Sequence, residues 1–267
     1  MKFAKIKAIR EWMLAWKALA ANGWYVLACA LLDIAFFVAY GFIRAPLFEN
    51  LTNHVIVVGT LLTQKMSAVA DRTRPAIIDA LFQPPVLRYT LQFIGLLAVL
   101  ALVIFVLYCI FQGVAWYLAG KLDKSKMHWR VFLTHFARIN LLWFGFYFLW
   151  QCVSMVFDLR RVAIEKATSQ PAPEAGIALM VVLAVLVYFA IISYPSLSIR
   201  KAFSMGTRRL YLLAAGFIVL LQFFVGNLVV TQIARFNPKL SFIVGVILML
   251  VLISWSRAYA TFVVRRK

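Results

Sequence analysis

The stretch WYVLACALLDIAFFVAYGFI, Trp24–Ile43, decides the fold class. At about 1.5 Å of rise per residue it is long enough as a helix to cross a hydrocarbon core roughly 30 Å thick. Its single charged residue is Asp33. An ionisable side chain inside such a run is costly in lipid, so it marks a pair, an aqueous path or a binding site. The last apolar run, Leu240–Val264, carries one charge as well, Arg257. Four more runs lie between these two: Tyr89–Gly120, Ile139–Phe157, Ile177–Ile199 and Leu210–Ile233.

Composition agrees with lipid as the solvent for this chain. Of its 267 residues 64% are hydrophobic and only 14% charged, far from the balance of a soluble domain. The expected class is all-α: a polytopic membrane helical bundle with six transmembrane helices, basic juxtamembrane amphipathic helices and an outer helical hairpin-like connection. The whole chain reads as one integral membrane domain, and the first apolar run as a retained span rather than a cleaved signal. The connection, residues 45–88, places Leu51, Val55, Val58, Leu62, Met66 and Val69 at helical spacing. A short helix, Ala76–Phe82, is expected after it, between Pro75 and the Pro84–Pro85 pair. Asn50-Leu51-Thr52 is a formal glycosylation acceptor there.

Lys and Arg outnumber Asp and Glu by 28 to 9. No soluble basic domain is present to dock a duplex, so the excess points to lipid headgroups rather than nucleic acid. Six crossings with the N-terminus in the cytoplasm place 17 Lys and Arg inside and ten outside, with six acids beside the ten. That asymmetry favours a cell-membrane protein with both termini cytoplasmic. Trp12, Trp16, Trp24, Trp116, Trp129, Trp255 and Tyr259 gather toward the same inner interface. Basic stretches precede alternate spans: Lys2–Ala20, Lys121–Arg138 and Arg200–Arg209. The first reads as an interfacial helix, residues 1–20, with Ile6, Ile9, Trp12, Met13, Trp16 and Leu19 on its apolar face and Glu11 on the opposite one. Lys7, Arg10, Lys17, Lys124, Lys126, Arg130, Arg208 and Arg209 are the candidate headgroup contacts; ordinary stop-transfer charge is the competing reading.

The stretch Tyr194-Pro195-Ser196-Leu197-Ser198-Ile199-Arg200-Lys201-Ala202-Phe203 leads into a basic turn and another span. Together with the alternation of basic helix and hairpin, it resembles diffuse, mostly uncharacterised six-helix membrane families, such as the membrane domain attached to some glycerophosphodiester phosphodiesterases. The resemblance implies a fold; no catalytic residue is carried over from it.

Catalytic patterns are scarce. The histidines are His54, His128 and His135, and no acid or cysteine beside them completes a metal set. No GxSxG, HExxH or P-loop glycine run occurs. Cys29, Cys109 and Cys152 each fall within apolar runs and read as packing residues. The outer carboxylates Asp71, Asp79, Asp158, Glu165 and Glu174 are scattered. No cofactor and no catalytic residue is expected.

The buried polar residues say more. Counted at about 1.5 Å per residue, Asp33 lies roughly 15 Å and Arg257 about 10 Å from the inner ends of their helices. Because side chains lean toward their own helix N-terminus, the two heads converge on one depth. An Asp33–Arg257 ion pair joining first and last spans is expected, with Gln112, Asn140 and Tyr194 in the same half of the bundle. A snorkelling Arg257 and a protonated Asp33 are the alternatives. Two functions suit this pattern: a structural, regulatory or assembly protein binding anionic lipids or partner proteins, or a transporter or lipid-handling protein using the polar cluster.

Overall fold

The computed structural model describes residues 2–67, 83–84, 86–168 and 176–266. The expected helix Ala76–Phe82 and the carboxylates Asp71, Asp79 and Glu174 lie outside the described residues. Every described element is a helix: α1 Lys2–Ala21, α2 Gly23–Ser67, α3 Val86–Leu122, α4 Trp129–Thr168, α5 Gly176–Ser196, α6 Ile199–Arg208, α7 Leu210–Phe236 and α8 Pro238–Arg265. Among the described residues α2, α3, α5, α7 and α8 are long and apolar enough to cross a membrane. The chain therefore has the make-up of a membrane protein. The segment Ile139–Phe157, read as a sixth span, lies inside α4. That helix stands apart from the five, with Asn140 and Gln151 interrupting its apolar residues and Arg130 and Arg138 in its first turns.

Several boundaries differ from those the sequence predicts. Helix α2 continues through Pro46 to Ser67 instead of breaking near Ala45. A proline removes one amide donor and leaves one carbonyl unpaired, a local cost that a long helix with favourable residues on both sides survives. Asn50 thus sits within a helix and not in a loop. The basic stretch Lys121–Arg138 is no separate helix. It is divided between the end of α3, a turn in which Lys124 takes φ 58°, and the first turns of α4. By contrast Arg200–Arg209 nearly coincides with the discrete helix α6, which Leu197 at φ 50° separates from α5 and Ser198 caps through the Lys201 amide at 3.4 Å.

The molecule divides into two units, Ile34–Tyr108 and the remainder. Within Ile34–Tyr108 the two helical segments run antiparallel: Phe36 meets Tyr108 edge-on at 6.1 Å and His54 meets Tyr89 at 6.1 Å. Arg44 lies over the rings of Tyr40 and Phe48, an arrangement that shelters a long cationic side chain on aromatic surface.

The other unit holds the main core. Helices α7 and α8 pack most extensively, α1 lies against both, α5 touches α4, α6 and α8, and α6 also meets α7. Small residues set the α7–α8 approach. A Cβ at Gly226 would come 3.0 Å from Leu252 Cδ1, one at Gly245 would come 3.2 Å from Val230 Cγ1, and Ser241 Oγ donates to Val230 O at 2.9 Å. Burial concentrates at the C-terminal end of α8, where Trp255, Tyr259, Phe262 and Val263 are enclosed by Ala15 and Leu19 of α1, Ala115 and Ala119 of α3, and Ile192 of α5.

Helix α1 is tied lengthwise into this core. Lys7 Nζ lies 4.5 Å from the Tyr211 ring centroid and Trp12 Nε1 donates to Gln222 Oε1 at 3.2 Å, so α1 runs parallel to α7. Tyr259 OH donates to Ala8 O at 3.1 Å, and Trp16 stacks on Trp255 at 5.7 Å, so it runs antiparallel to α8. Its buried face is Ala8, Glu11, Ala15 and Leu19; the expected apolar residues Ile9 and Met13 are exposed. Ala8 and Ala15 explain the shift, because small residues allow helices to approach where bulkier ones would hold them apart.

Glycines on two faces give a paired prediction. At Gly206 an added Cβ would lie 2.7 Å from Phe189 Cε1, and that ring is held by stacking on Phe203 at 4.4 Å. Gly206→Ala is expected to destabilise the protein by about 1–3 kcal/mol through overpacking. Gly145, with nothing within 4 Å of its Cβ position, is expected to tolerate alanine or gain up to about 1 kcal/mol from helix propensity. Thermal unfolding in detergent separates the two; equal effects would show that the α5–α6 contact is not tight.

Candidate buried polar site

Three helices each deliver one polar side chain to a common point. On α2 the residues Tyr25, Cys29 and Asp33 recur every four positions and form its buried stripe. On α3 the stripe is Gln112, Ala115, Trp116 and Ala119. On α8 it includes Ser254, Arg257 and Thr261. Helical period alone therefore turns Asp33, Gln112 and Arg257 inward along with their apolar neighbours.

Their geometry closes a network. Arg257 Nη1 donates to Asp33 Oδ2 at 2.9 Å and Nη2 donates to Asp33 Oδ1 at 2.6 Å, a two-pronged match of guanidinium to carboxylate. Arg257 Nη2 also donates to Gln112 Oε1 at 2.5 Å, and Gln112 Nε2 donates to Asp33 Oδ1 at 2.9 Å. The amide thus offers an acceptor to the cation and a donor to the anion, a double role that neither Asn at shorter reach nor Glu fills. Asp33, Arg257 and Gln112 are 1%, 4% and 8% exposed, so the charges meet each other and not the surroundings. Tyr25 OH donates to Ser254 O at 3.0 Å, pinning α2 to α8 on the neighbouring turn.

Asn140 and Tyr194, expected in the same cluster, form a second one. Tyr194 OH donates to Asn140 Oδ1 at 3.2 Å, and Asn140 Nδ2 lies 3.4 Å from Cys109 Sγ. Beside them Trp143 Nε1 donates to Ser193 Oγ at 2.8 Å. Helix α3 serves both groups: Cys109 faces Asn140, and Gln112 faces Asp33.

The basic residues fall into two kinds. Lys17, Lys124, Lys126, Arg130 and Arg208 are exposed, with Arg130 lying over its neighbour Trp129 at 5.4 Å. Arg10 pairs with Glu11 at 2.9 Å, Lys7 Nζ donates to Arg266 O at 2.9 Å, and Arg209 Nη1 donates to Tyr211 OH at 2.8 Å. Glu11, expected on the exposed face of α1, is fully buried. Its carboxylate also receives Arg266 Nη1 at 3.5 Å, while Arg266 Nε donates to Asp123 Oδ1 at 3.0 Å. The sequence does carry a clue: Glu11 sits midway along the small-residue stripe Ala8–Ala15. Arg265 Nε donates to Pro195 O at 3.0 Å, satisfying a carbonyl at the end of α5 that has no helical partner.

The remaining polar candidates engage locally. His54 and His135 each bond the carbonyl four residues back on their own helix, Asn50 O and Val131 O. Among the described residues no three His, Cys, Asp or Glu side chains converge as a metal set.

Breaking the ion pair from one side strands a charge in an apolar interior, whereas replacing both partners does not. Asp33→Leu and Arg257→Met are each expected to cost about 3–5 kcal/mol. The double variant is expected to recover most of that loss in detergent unfolding. Additive losses would show that the two side chains act separately. No protein-family model matches the chain, and comparison with curated proteins and with solved structures returns no match.

Proposed function

We propose that the chain is a multi-pass integral membrane protein of structural, regulatory or assembly type, which holds anionic lipids on its basic end and presents a fixed helical surface to partner proteins. The observation that carries this reading is the mutual pairing of the buried charges. Asp33 and Arg257 hydrogen-bond to each other and to Gln112 at 1–8% exposure. A substrate route through a membrane protein needs charges that stay available to water or cargo. Here they bind helix to helix instead.

The reading takes Ile139–Phe157 of α4 as a sixth crossing, with both termini on the cytoplasmic side of the cell membrane. Contact between Lys7 and the Arg266 backbone supports an even number of crossings, because it holds the two ends of the chain together. On this reading Arg10, Lys17, Lys124, Lys126, Arg130 and Arg208 would meet anionic headgroups of the inner leaflet. The six-helix likeness drawn from Tyr194–Phe203 belongs to the same reading.

The test is reconstitution into sealed vesicles containing a fluorescent phospholipid. Transbilayer movement is expected to stay at the protein-free rate, with and without ion gradients. Movement above that rate, abolished by Arg257→Gln in a variant that still folds, would replace this reading with lipid transport.

A further inference from the structure

Two cations share one aromatic ring, with no carboxylate paired to either among the described residues. Lys7 Nζ lies 4.5 Å and Arg209 Cζ 6.0 Å from the centroid of Tyr211. Neither forms an ion pair among the described residues. The acids near this end of the bundle are already engaged: Glu11 with Arg10 and Arg266, and Asp123 with Arg266. Holding two like charges on one ring has an electrostatic cost that falls only when an anion joins them or salt screens them.

The surroundings favour an oxyanion. Tyr211 OH accepts from Arg209 Nη1 and so keeps its own proton to donate outward. Helix α7 starts at Leu210 with no side-chain cap and no acid in its first turn. Exposed Leu210, Leu213 and Phe217 continue from that point along one face of α7, where an acyl chain would lie. Cation, phenol and apolar stripe are therefore arranged in the order of a phospholipid: phosphate at the end of the bundle, tail along the span.

We propose that Lys7, Arg209 and Tyr211 form a specific site for the phosphodiester of an anionic phospholipid, bridging α1 and the start of α7. The proposal rests on the anionic-lipid reading above and narrows it from a diffuse basic surface to one site. An occupied site also fastens α1 to the start of α7, away from the mid-helix Trp12–Gln222 bond, so binding is expected to stabilise the fold.

The experiment titrates the full chain in detergent with short-chain phosphatidylglycerol, with the matching phosphatidylcholine and with inorganic phosphate, reading the thermal midpoint. Phosphatidylglycerol is expected to raise the midpoint saturably, and the other two are not. In Lys7→Gln/Arg209→Gln the apparent affinity should fall about 30-fold, taking roughly one such contribution per basic residue near a lipid surface. Arg235→Gln/Lys239→Gln, exposed at the other end of α7, should leave it unchanged. If the first pair is too unstable to purify, Arg209→Gln alone should weaken binding while the charge-preserving Lys7→Arg/Arg209→Lys retains it.

Three results would overturn the proposal. Unchanged affinity in the Lys7/Arg209 variants, or an equal loss in both pairs, removes the site and leaves general anionic-lipid binding standing. No response of the unmodified chain to phosphatidylglycerol removes that broader reading as well. Stabilisation by inorganic phosphate with no further gain from the lipid would reassign the site to a soluble anion.

Discussion

The bond between Asp33 and Arg257 governs how this bundle is assembled. Both residues sit at positions where helical period forces them inward, so neither charge has the option of solvent. In a low-dielectric interior that leaves pairing as the way to keep both ionised. The pair links a helix near the start of the chain to the one at its end, and Gln112 brings in α3. Lipid tails offer no preference between one apolar helix face and another, so apolar packing alone selects weakly among alternative arrangements. A charge with one acceptable partner fixes which helices meet and in what register.

The second level of organisation lies at the end of α8. Glu11, Asp123, Arg266, Arg265 and Lys7 form a linked set that ties α1, the α3–α4 turn and the end of α5 to the C-terminal residues. Here the charges do two jobs. Arg265 satisfies a helix-terminal carbonyl, which is backbone accounting. Arg266 shares two acids, and among the described residues Lys7 and Arg209 form no ion pair. Positive charge that a count of residues assigns to lipid is therefore partly consumed inside the protein.

Much of this architecture is legible in the residues themselves. The runs Tyr89–Gly120, Leu210–Ile233 and Leu240–Val264 fall within helices of about the expected length. Ile177–Ile199 runs past the end of α5 at Ser196, and Trp24–Ile43 is the first part of a much longer α2. The depth count for Asp33 and Arg257 brings their heads to one level because rise per residue and side-chain lean are nearly constant in helices. Helix α6 is legible because Ser198 caps it and its apolar positions sit opposite Lys201 and Arg208. The face of α1 misleads for a physical reason: hydrophobic size suggests which residues seek burial, but Ala8 and Ala15 determine how near another helix can come, and Glu11 is carried in with them. The continuity of α2 through Pro46 is also hidden, since proline signals a break locally while cooperativity along a long helix outweighs it. Trp12–Gln222 and Trp143–Ser193 leave no trace in the sequence, because each joins residues whose separation carries no periodic signal.

The Asp33–Arg257 pair is almost wholly buried, and Cys29 reports on it from the same stripe of α2, one turn away. The most direct measurement is labelling of Cys29 by a small water-soluble thiol reagent in native membranes, with Cys109 and Cys152 replaced by serine. Labelling should be absent from either side of the membrane and appear only after denaturation. Modification of the folded protein would mean that water reaches the pair, and the account of the ion pair as a sealed joint between helices would be wrong.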